Sequence, residues 1–519
     1  MGSDENATGP QTGQPGTGHA TTPQPRGQRT PAYTPREVGH AGTRHRRPLR
    51  RFAGRRRGPD TSNAVDRDGG GSAAASRLAF GAMLVPSQDS RPTAWRRGTY
   101  RAGEWLRRRG VTPWLELAWL AVAGAQRDPA RLAGALGRLK GPFAKLGQLA
   151  GLRVDAVQPE TREHLTALRD RVPPLPFWRI AELLRAEFQQ PLDEVFATLD
   201  PEPLGAASIA QVHRGRLPDG REVAVKVQYP WLRSTATGDL ALLERVLRRM
   251  LPESGATGLF AEFARSFREE LDFRREASMA REIASHLDDD PQLVVPEVID
   301  SHSTGRVLTM AWYPTLSLQQ PDELRARSVP MAEVLEHLVR AYSRQIFVDG
   351  LFHADPHAGN LFVIDEPSAT SAPRVLFVDF GLSQRLDPEL RRELRQGIYA
   401  VLKADLDAFL AGMDRMDMIE PGHEAEVRKA VGSMFERLRG EAGGALGLAG
   451  DRILALKDEA TTLLYETPGL RLPAQLLLYA KTLSYVFGLG REISPETDVM
   501  KLAVPYLLRF LSERDDAAP

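Results

Sequence analysis

Two neighbouring segments carry the most information about this chain: Leu351-Phe-His-Ala-Asp-Pro-His-Ala-Gly-Asn-Leu-Phe-Val363 and Val375-Leu-Phe-Val-Asp-Phe-Gly381. Asn360 stands five residues after Asp355 and immediately before an apolar run, and Asp379 ends a second apolar run. If residues 361–364 and 375–378 pair as antiparallel strands, Asn360 at the start of one strand lies beside Asp379 at the end of the other. Side-chain oxygens of this kind are the ligands that Mg²⁺ prefers. The two segments therefore predict a hairpin that brings two metal ligands together.

The same spacing is the pattern of a nucleotide phosphotransfer site, in which a catalytic loop and a metal-binding Asp-x-Gly turn follow each other. Such a site also needs a lysine for the phosphates. Residues 209–217, the turn Pro218-Asp-Gly220 and residues 221–228 predict a β-hairpin. Lys226 then projects from the face opposite Val223, Val225 and Val227. The hairpin alone favours an ordinary turn with a solvated lysine, but together with Asp355 and Asp379 it favours phosphate binding.

A charged segment without Pro or Gly, residues 260–287, predicts one long helix after the hairpin. Kinase-type sites use a helical carboxylate to hold the strand lysine. At about 100° per residue, Asp272 and Glu276 share a face, and Glu270 lies about 120° from Glu276. The alternative is a solvated helix with i,i+4 ion pairs, each worth only about 0.3–0.5 kcal/mol.

Composition excludes several classes of protein and site. The chain has 519 residues, is 42% hydrophobic and 26% charged, and carries a net charge of +1, which predicts two or three structural units rather than one small domain. The near-neutral charge argues against a globally basic nucleic-acid binder, and no specific nucleic-acid partner is predicted. The absence of cysteine excludes disulfides, thiolate zinc sites and cysteine nucleophiles.

Charge is unevenly distributed at the amino end. Residues 1–60 hold eleven arginines against four acidic residues, a net charge of about +7, among many Gly, Pro and Thr residues. We predict a disordered basic tail that either is simply solvated or touches anionic lipid or RNA. No apolar run follows the arginines, so no export signal is expected.

Two apolar stretches are too short or too polar to span a membrane. Residues 114–125 number only twelve and include Glu116, and residues 472–490 are interrupted by Gln475 and Lys481, whereas a spanning helix needs about 20 apolar residues. We predict a buried or interfacial helix for the first and a core helix for the second. The expected location is cytoplasmic, with peripheral membrane association.

Leucines and Phe143 recur at spacings of three and four through residues 132–154, which predicts an amphipathic helical segment. Lys145 and Gln148 flank its apolar stripe. By themselves they indicate a solvated helix face more than a functional site.

Six motifs follow one another along the chain. They are Lys145-Leu-Gly-Gln148, Gly205-Ala-Ala-Ser-Ile-Ala-Gln-Val-His213, Val223-Ala-Val-Lys-Val227, Glu270-Leu-Asp272 with Arg275-Glu-Ala277, His353-Ala-Asp-Pro-His-Ala-Gly-Asn360 and Asp379-Phe-Gly381. In this order they resemble the UbiB/ADCK (AarF) family of atypical protein-kinase-like proteins over about residues 100–500. Aminoglycoside phosphotransferases have a similar catalytic loop but lack the Lys-x-Gly-Gln and Glu-x-Asp motifs.

The resemblance implies an α+β, bilobal protein-kinase-like fold with an N-terminal helical extension and a predominantly helical C-terminal lobe. The expected organisation is a disordered Arg/Gly/Pro-rich tail (1–95), the helical extension with the Lys-x-Gly-Gln motif (96–190), an N-lobe (191–315), a C-lobe (316–510) and a polar tail (511–519).

The resemblance also implies roles for individual residues, with ATP or ADP and Mg²⁺ as cofactors. Lys226 would contact the phosphates and pair with Glu276, Asp355 would act as catalytic base or orienting residue, and His353 and His357 would brace the loop. The other implied roles are nucleotide binding by Gly205, Ala206, Ala207, Ser208, Ile209 and Gln211, metal binding by Asn360 and Asp379, and contact between the extension residues Lys145 and Gln148 and the carboxylates Glu270 and Asp272.

The implied activity is Mg²⁺-dependent ATP hydrolysis or phosphotransfer in support of isoprenoid quinone or lipid metabolism, with peripheral membrane lipid or quinone precursors as partners. Two alternatives stay open: a nucleotide-binding regulatory scaffold without turnover, and a phosphotransferase for a soluble small molecule. The chain departs from the family at Gly205, where alanine is usual and glycine adds backbone freedom. It also departs at Ala358, where proline is usual, and at Met310-Ala311-Trp312, which lacks the common acidic residue. Neither of these last two changes removes a catalytic group.

Overall fold

The computed structural model describes residues 94–122, 128–150, 172–250, 255–365, 372–441, 467–471 and 473–513, all within the unit Gly69–Pro519. The predicted basic tail up to residue 93, and residues 514–519 of the predicted polar tail, lie outside the described residues.

Helices make up most of the described chain. They are α1 (Ala94–Arg108), α2 (Val111–Val122), α3 (Pro129–Leu139), α4 (Gly141–Ala150), α5 (Phe177–Phe188), α6 (Leu192–Val195), α7 (Leu232–Met250), α8 (Gly255–Glu270), α9 (Phe273–Leu287), α10 (Pro321–Ala326), α11 (Met331–Ser343), α12 (Pro388–Leu402), α13 (Leu406–Arg415), α14 (Glu424–Glu441), α15 (Ala474–Ile493) and α16 (Val499–Ser512).

The strands within the described residues form three small sheets. They are β1 (Thr198–Ala206), β2 (Ala210–Arg216), β3 (Glu222–Gln228), β4 (Leu293–Val294), β5 (Val307–Ala311), β6 (Thr315–Ser317), β7 (Leu351–Phe352), β8 (Leu361–Ile364), β9 (Val375–Phe377) and β10 (Gln384–Arg385). The sheet orders are β1-β2-β3-β5, β4-β9-β8-β6 and β10-β7.

Both predicted hairpins are present. β2 and β3 pair antiparallel around the turn at Gly220, with Val212 opposite Lys226. Val223, Val225 and Val227 are fully buried on one face of β3 while Lys226 is not, as the alternation predicts. β8 and β9 also pair antiparallel, and Val378 N–H donates to the Asn360 carbonyl at 3.0 Å. Asn360 and Asp379 are therefore neighbours.

The predicted single helix over residues 260–287 is wrong, because the chain breaks between α8 and α9 at Leu271 and Asp272. The Asp272 side chain accepts from Arg274 N–H as the N-cap of α9. The Leu271 carbonyl accepts from Gln228 and Arg233 side chains, and Phe273 N–H donates to the Gly305 carbonyl at 3.0 Å. Tertiary hydrogen bonds thus satisfy the backbone groups that the break leaves without helical partners.

The amphipathic segment predicted from residue 132 is likewise divided, at Lys140, whose backbone has φ 57°. Lys140 is buried, donates its Nζ to the Pro173 carbonyl and lies 4.0 Å from the Tyr229 ring centroid. Burial lowers the pKa of Lys140 well below its usual value. Residues 151–154 of the predicted segment lie outside the described residues.

One hydrophobic core runs from the extension to the C-terminal helices. Phe143 of α4, Phe273 of α9, Phe352 of β7, Phe377 of β9 and Phe510 of α16 all belong to it and are almost completely buried. The extension is therefore packed into the same core as the sheets and the helical lobe.

The predicted core helix near the C-terminus corresponds to α15, which packs against α11 and buries Tyr479, Phe487 and Leu489. Among the helices described, none reaches the length and apolarity of a membrane span. The predicted boundary at residue 511 falls inside α16, and Glu513 beyond it accepts from Arg391 at 2.7 Å. Residues 511–513 therefore belong to the folded lobe, not to a tail.

Candidate functional site

A cluster of three charged side chains links the β1-β2-β3-β5 sheet to the β4-β9-β8-β6 sheet. Lys226 Nζ on β3 lies 2.7 Å from Glu276 Oε1 on α9 and 2.9 Å from Asp379 Oδ1, which follows β9. Gly381 lies beside the cluster: a Cβ there would be in tight contact with Asp379 Oδ1 at 3.3 Å and in ordinary contact with Glu276 Oε2 at 3.7 Å. Asp379 itself has a left-handed backbone, φ 63° and ψ 75°, a conformation that costs energy for a non-glycine residue and is often found at functional sites.

The charges in this cluster are set by burial and by mutual attraction. Burial lowers the pKa of Lys226, but the attraction of Asp379 and Glu276 is the larger effect and raises the pKa above its usual value. The ammonium group therefore stays charged. Burial raises the pKa of Asp379, yet the Lys226 charge outweighs burial and brings it to about 2. Burial raises the pKa of Glu276 to about 7 in spite of Lys226. Asp379 is therefore ionised near neutral pH, as a metal ligand must be.

The catalytic-loop residues meet at the same end of β8. Asn360 Nδ2 donates to the Asp355 carbonyl oxygen at 3.2 Å. His357 Nε2 lies 3.3 Å from Asp355 Oδ2, and His357 Nδ1 accepts from Gly359 N–H at 3.0 Å. The loop is therefore held by its own side chains, with the Asp355 carboxylate at its centre.

His353 ties this loop to the strand that carries Asp379. Its Nδ1 lies 2.9 Å from the Tyr342 hydroxyl, and its Nε2 lies 3.0 Å from the carbonyl oxygens of both Val378 and Asp379. Burial lowers the pKa of His353. Both ring nitrogens contact protein groups, so the ring holds the catalytic loop against the end of β9.

The two carboxylates that were predicted to contact the extension, Glu270 and Asp272, have different partners. Lys145 of α4 forms an ion pair with Glu270 at the end of α8, and both side chains are largely buried. Asp272 caps α9 instead, with its carboxylate half exposed and 3.6 Å from Arg233. Among the described side chains, Asp272 pairs with Arg233 and not with Lys145, and its expected contact with Gln148 stays a prediction. Gln148 lies on α4, but its side chain is outside the described residues.

The small-residue turn between β1 and β2 is tied down by its carbonyl groups. Gly205 and Ala206 end β1, and Ala207, Ser208 and Ile209 make the turn. Tyr229 binds this turn twice, donating its hydroxyl to the Ala207 carbonyl and its N–H to the Ile209 carbonyl, each at 2.9 Å.

The third carbonyl of the turn is held by the extension. Gly141 N–H at the start of α4 donates to the Ser208 carbonyl at 2.7 Å. Gly141 has φ +56°, and a Cβ there would lie 2.7 Å from a Leu232 methyl carbon, so the position suits glycine. The extension therefore fixes the turn that would lie over a nucleotide.

Gln211 is placed where it cannot serve as a nucleotide ligand. Its side chain is fully buried, accepts from Leu175 N–H at 2.7 Å and donates to the Leu175 carbonyl at 3.2 Å. Gln211 Nε2 also contacts His213 Nε2, at 2.9 Å. The predicted nucleotide contact is corrected accordingly: Gln211 joins β2 to the segment that precedes α5.

One residue of the site was missed by sequence analysis. Lys481 of α15 donates to Asp355 Oδ1 at 2.9 Å. In the sequence Lys481 only interrupts an apolar stretch, and that interruption was the signal available.

The chain is similar to known kinase-like proteins. Residues 167–412 match the ABC1 atypical kinase-like domain. A probable protein kinase UbiB from Xanthomonas campestris pv. campestris (strain B100) is 32% identical over 429 residues, covering 80% of this chain and 75% of that protein.

Other relatives are longer. The chloroplastic protein ACTIVITY OF BC1 COMPLEX KINASE 8 of Arabidopsis thaliana is 29% identical over 411 residues, covering 73% of this chain and 53% of that protein. The chain thus spans about half the length of that relative. A solved structure described as the complex of Rv3197 with erythromycin, from Mycobacterium tuberculosis, has a TM-score of 0.42 and 23% identity, covering 73% of this chain and 97% of that one.

The predicted family and fold class are confirmed by the ABC1 domain match and the UbiB relative, together with the mixed sheets, the helical extension and the helical C-terminal region. The chain belongs to the ABC1 family of atypical kinase-like proteins, whose members include the UbiB and ACTIVITY OF BC1 COMPLEX KINASE proteins.

Proposed function

We propose that the chain binds ATP or ADP with Mg²⁺ and acts as an ATP-dependent phosphotransferase or ATPase. The observation that carries the proposal is the Lys226 ammonium held between Glu276 and Asp379, at 2.7 and 2.9 Å, next to the Asp355 loop. A lysine fixed by a helical carboxylate beside a metal-binding aspartate is the arrangement that kinase-type sites use for phosphates.

The residues present fit Mg²⁺. Asp379 and Asn360 offer a carboxylate and an amide oxygen from adjacent strand ends, and the Asp379 side chain is 46% exposed, so it is accessible to an ion. Mg²⁺ is usually bound by one or two carboxylates together with substrate phosphates. When bound, it would neutralise charge on the phosphate oxygens.

The remaining steps fall to the residues of this chain. Lys226 would bind phosphate oxygens, and the turn formed by Gly205, Ala206, Ala207, Ser208 and Ile209 would cover them. Asp355 would orient the hydroxyl group of an acceptor, or a water molecule, and accept its proton. Asn360, bonded through its amide nitrogen to the Asp355 backbone, would keep its oxygen for the metal.

Replacing the two aspartates separately tests this proposal. We expect Asp379→Asn to lose the Mg²⁺-dependent thermal stabilisation by nucleotide, and Asp355→Asn to keep that stabilisation but lose turnover by about 100-fold or more. Asp322→Asn is the matched control, because that side chain is 99% exposed on α10. Nucleotide stabilisation and hydrolysis that are the same in all three variants would refute the proposed site.

The same measurements separate the alternatives. A regulatory scaffold would be stabilised by nucleotide but show only background hydrolysis, even with lipid and quinone-precursor mimics present. A soluble-metabolite phosphotransferase would yield phosphorylated small molecules regardless of membranes. A role in isoprenoid quinone or lipid metabolism, which the family resemblance implies, predicts turnover that rises when those lipids are added.

We also propose peripheral contact with anionic lipid through the first two helices. Trp105 on α1 and Trp114 and Leu115 on α2 are 52%, 49% and 46% exposed. Exposed arginines accompany them, and the Arg109 guanidinium lies 4.1 Å from the Trp105 ring centroid. Exposed aromatic residues beside arginines suit the boundary between lipid headgroups and acyl chains.

Vesicle co-sedimentation tests this contact. We expect Trp105→Ser combined with Trp114→Ser to reduce binding to anionic vesicles about tenfold, because apolar area and charge attraction together set the affinity. Deleting residues 1–60 separates the contribution of the basic tail, and neutral vesicles provide the control. If neither the full chain nor the variants sediment with anionic vesicles, the contact does not exist.

A further inference from the structure

Lys481 contacts the carboxylate that the proposed function places at the reacting group. Its Nζ lies 2.9 Å from Asp355 Oδ1, and the two side chains are 19% and 16% exposed. An ammonium group has three N–H donors, and this contact uses one of them.

The position of Lys481 is fixed by the core. The Tyr479 ring, two residues earlier on α15, packs edge-on against Phe352 with ring centroids 6.1 Å apart, and Phe352 directly precedes His353 of the catalytic loop. Tyr479, Val486 and Phe487 are buried on the same helix. Lys481 therefore projects from a rigid element onto the loop, which is how precise functional positions are built.

Lys481 supplies a positive charge beside the catalytic loop. The loop His353–Asn360 itself contains no lysine or arginine. Lys226, which the proposed function assigns to the phosphate oxygens, is held by Asp379 and Glu276, whereas Lys481 is held by Asp355. Phosphoryl transfer spreads negative charge over three phosphoryl oxygens, next to Asp355 itself, and fixed positive groups aimed at that charge lower the barrier.

We propose that Lys481 is a catalytic residue of this site, which contacts the terminal phosphoryl group during its transfer while keeping its bond to Asp355. The inference rests on the proposed function and adds the residue that binds the moving group. In this step a bond forms between the acceptor oxygen and phosphorus, and the bond from phosphorus to the bridging oxygen of ADP breaks. The acceptor proton passes to Asp355, ADP leaves with the electron pair, and Lys481 keeps all its protons.

The competing interpretation is a positioning residue that acts only by orienting Asp355. A complex of Mg·ADP with aluminium fluoride distinguishes the two, because the fluoride group imitates the transferring phosphoryl group and contains no acceptor proton. A residue that touches the phosphoryl group contributes to the stability of this complex, whereas one that acts through Asp355 does not.

The test compares Lys481→Met, Lys481→Arg and the exposed control Lys501→Met on α16. For Lys481→Met we expect affinity for Mg·ADP within twofold of the unmodified chain. We expect kcat and the gain in affinity on adding aluminium fluoride both to fall by about 100-fold or more. Lys481→Arg should recover part of both, and Lys501→Met should change neither.

Several results would overturn the inference. If Lys481→Met loses kcat but keeps the full fluoride-dependent gain, Lys481 only positions Asp355. If both quantities are unchanged, it has no catalytic part. Should Lys481→Met fail to fold, Lys481→Arg and Lys481→Gln are compared by the same two readouts. Failure of the unmodified chain to bind Mg·ADP would refute the proposed function itself, which is a different outcome from intact binding without an effect of Lys481.

Discussion

At the scale of single residues, Glu276 and Asp379 both contact the Lys226 ammonium group, yet the pKa of Glu276 is raised and the pKa of Asp379 is lowered. The Glu276 side chain is only 4% exposed, so the cost of burying its charge exceeds the attraction of Lys226. The Asp379 side chain is 46% exposed, and solvent therefore screens part of the effect of Lys226. The lowered pKa of Asp379 nevertheless follows from direct contact at 2.9 Å.

The raised pKa of Glu276 predicts a pH effect on stability. Its folded value of about 7 lies above the ordinary 4.5, so the folded state binds more protons between these limits. The cost of burying the ionised group is absent below pH 4.5 and develops as the pH rises to about 7. Relative to the unmodified chain, Glu276→Gln should lose less stability over that window, by on the order of 1–3 kcal/mol.

Denaturant unfolding at several pH values between about 4.5 and 8 measures this difference. Glu297→Gln, whose side chain is 71% exposed, provides the control. At each pH, the free energy of unfolding of Glu297→Gln is subtracted from that of Glu276→Gln. The difference no longer contains the contribution of other titrating groups, such as the buried His353. Parallel stability curves for Glu276→Gln and the unmodified chain would contradict the assignment.

Sequence patterns predicted which side chains come together at the candidate site better than they predicted the side chains that support them. Lys226, Asp355, Asn360 and Asp379 stand in local patterns whose spacing carries the geometry, since strands place alternate side chains on opposite faces. Gln211 and Lys481 do not. Their partners, Leu175 and Asp355, lie 36 and 126 residues away in the chain, and no local pattern encodes such a pairing.

At the scale of elements, the break between α8 and α9 decides which carboxylate serves which lysine. Glu270 ends α8 and pairs with Lys145, whereas Glu276 in the first turn of α9 pairs with Lys226. A continuous helix was predicted because no Pro or Gly interrupts the segment. Asp272 was the available signal, since aspartate is a favoured N-cap, but the hydrogen bonds to Leu271 that compete with the helix are tertiary.

Removing the cap tests the break. Asp272→Ala should lower the free energy of unfolding by about 1 kcal/mol, because the Arg274 N–H loses its side-chain acceptor. Asp288→Ala, at the other end of α9, is the control; an exposed acidic residue near a helix C-terminus is not stabilising. Equal stability of the two variants, measured by urea unfolding, would show that the tertiary bonds alone hold the break.

At the scale of the whole molecule, the extension and the kinase-like region fold as parts of one core. Phe143 of the extension is fully buried in the same cluster as Phe273 and Phe377. The Lys145–Glu270 ion pair joins the same two regions, with side chains 15% and 5% exposed. The helical periodicity of the extension was predictable from sequence, but its packing into the shared core was not. Periodicity predicts which helix face is apolar, and it does not predict which part of the protein packs against that face.

A double-mutant cycle measures the strength of this connection. Lys145→Met should destabilise the chain by about 3 kcal/mol, because it leaves Glu270 buried without its partner, and Glu270→Gln in the same chain should recover most of that loss. The exposed pair Glu244 and Arg248 provides the matched control, with an expected coupling below about 1 kcal/mol. Coupling energies of equal size in the two pairs would mean that burial does not strengthen the connection.

The hydrogen bonds that hold the Ala207–Ile209 turn have a consequence for how tightly a nucleotide can be held. Gly141 and Tyr229 make these bonds as the chain folds, so the entropy of ordering the turn is lost in folding and not again on binding. Affinity at the proposed nucleotide site would then depend on the integrity of α4, which touches the turn through Gly141. Loosening that helix would weaken nucleotide binding even though every phosphate-binding side chain remained in place.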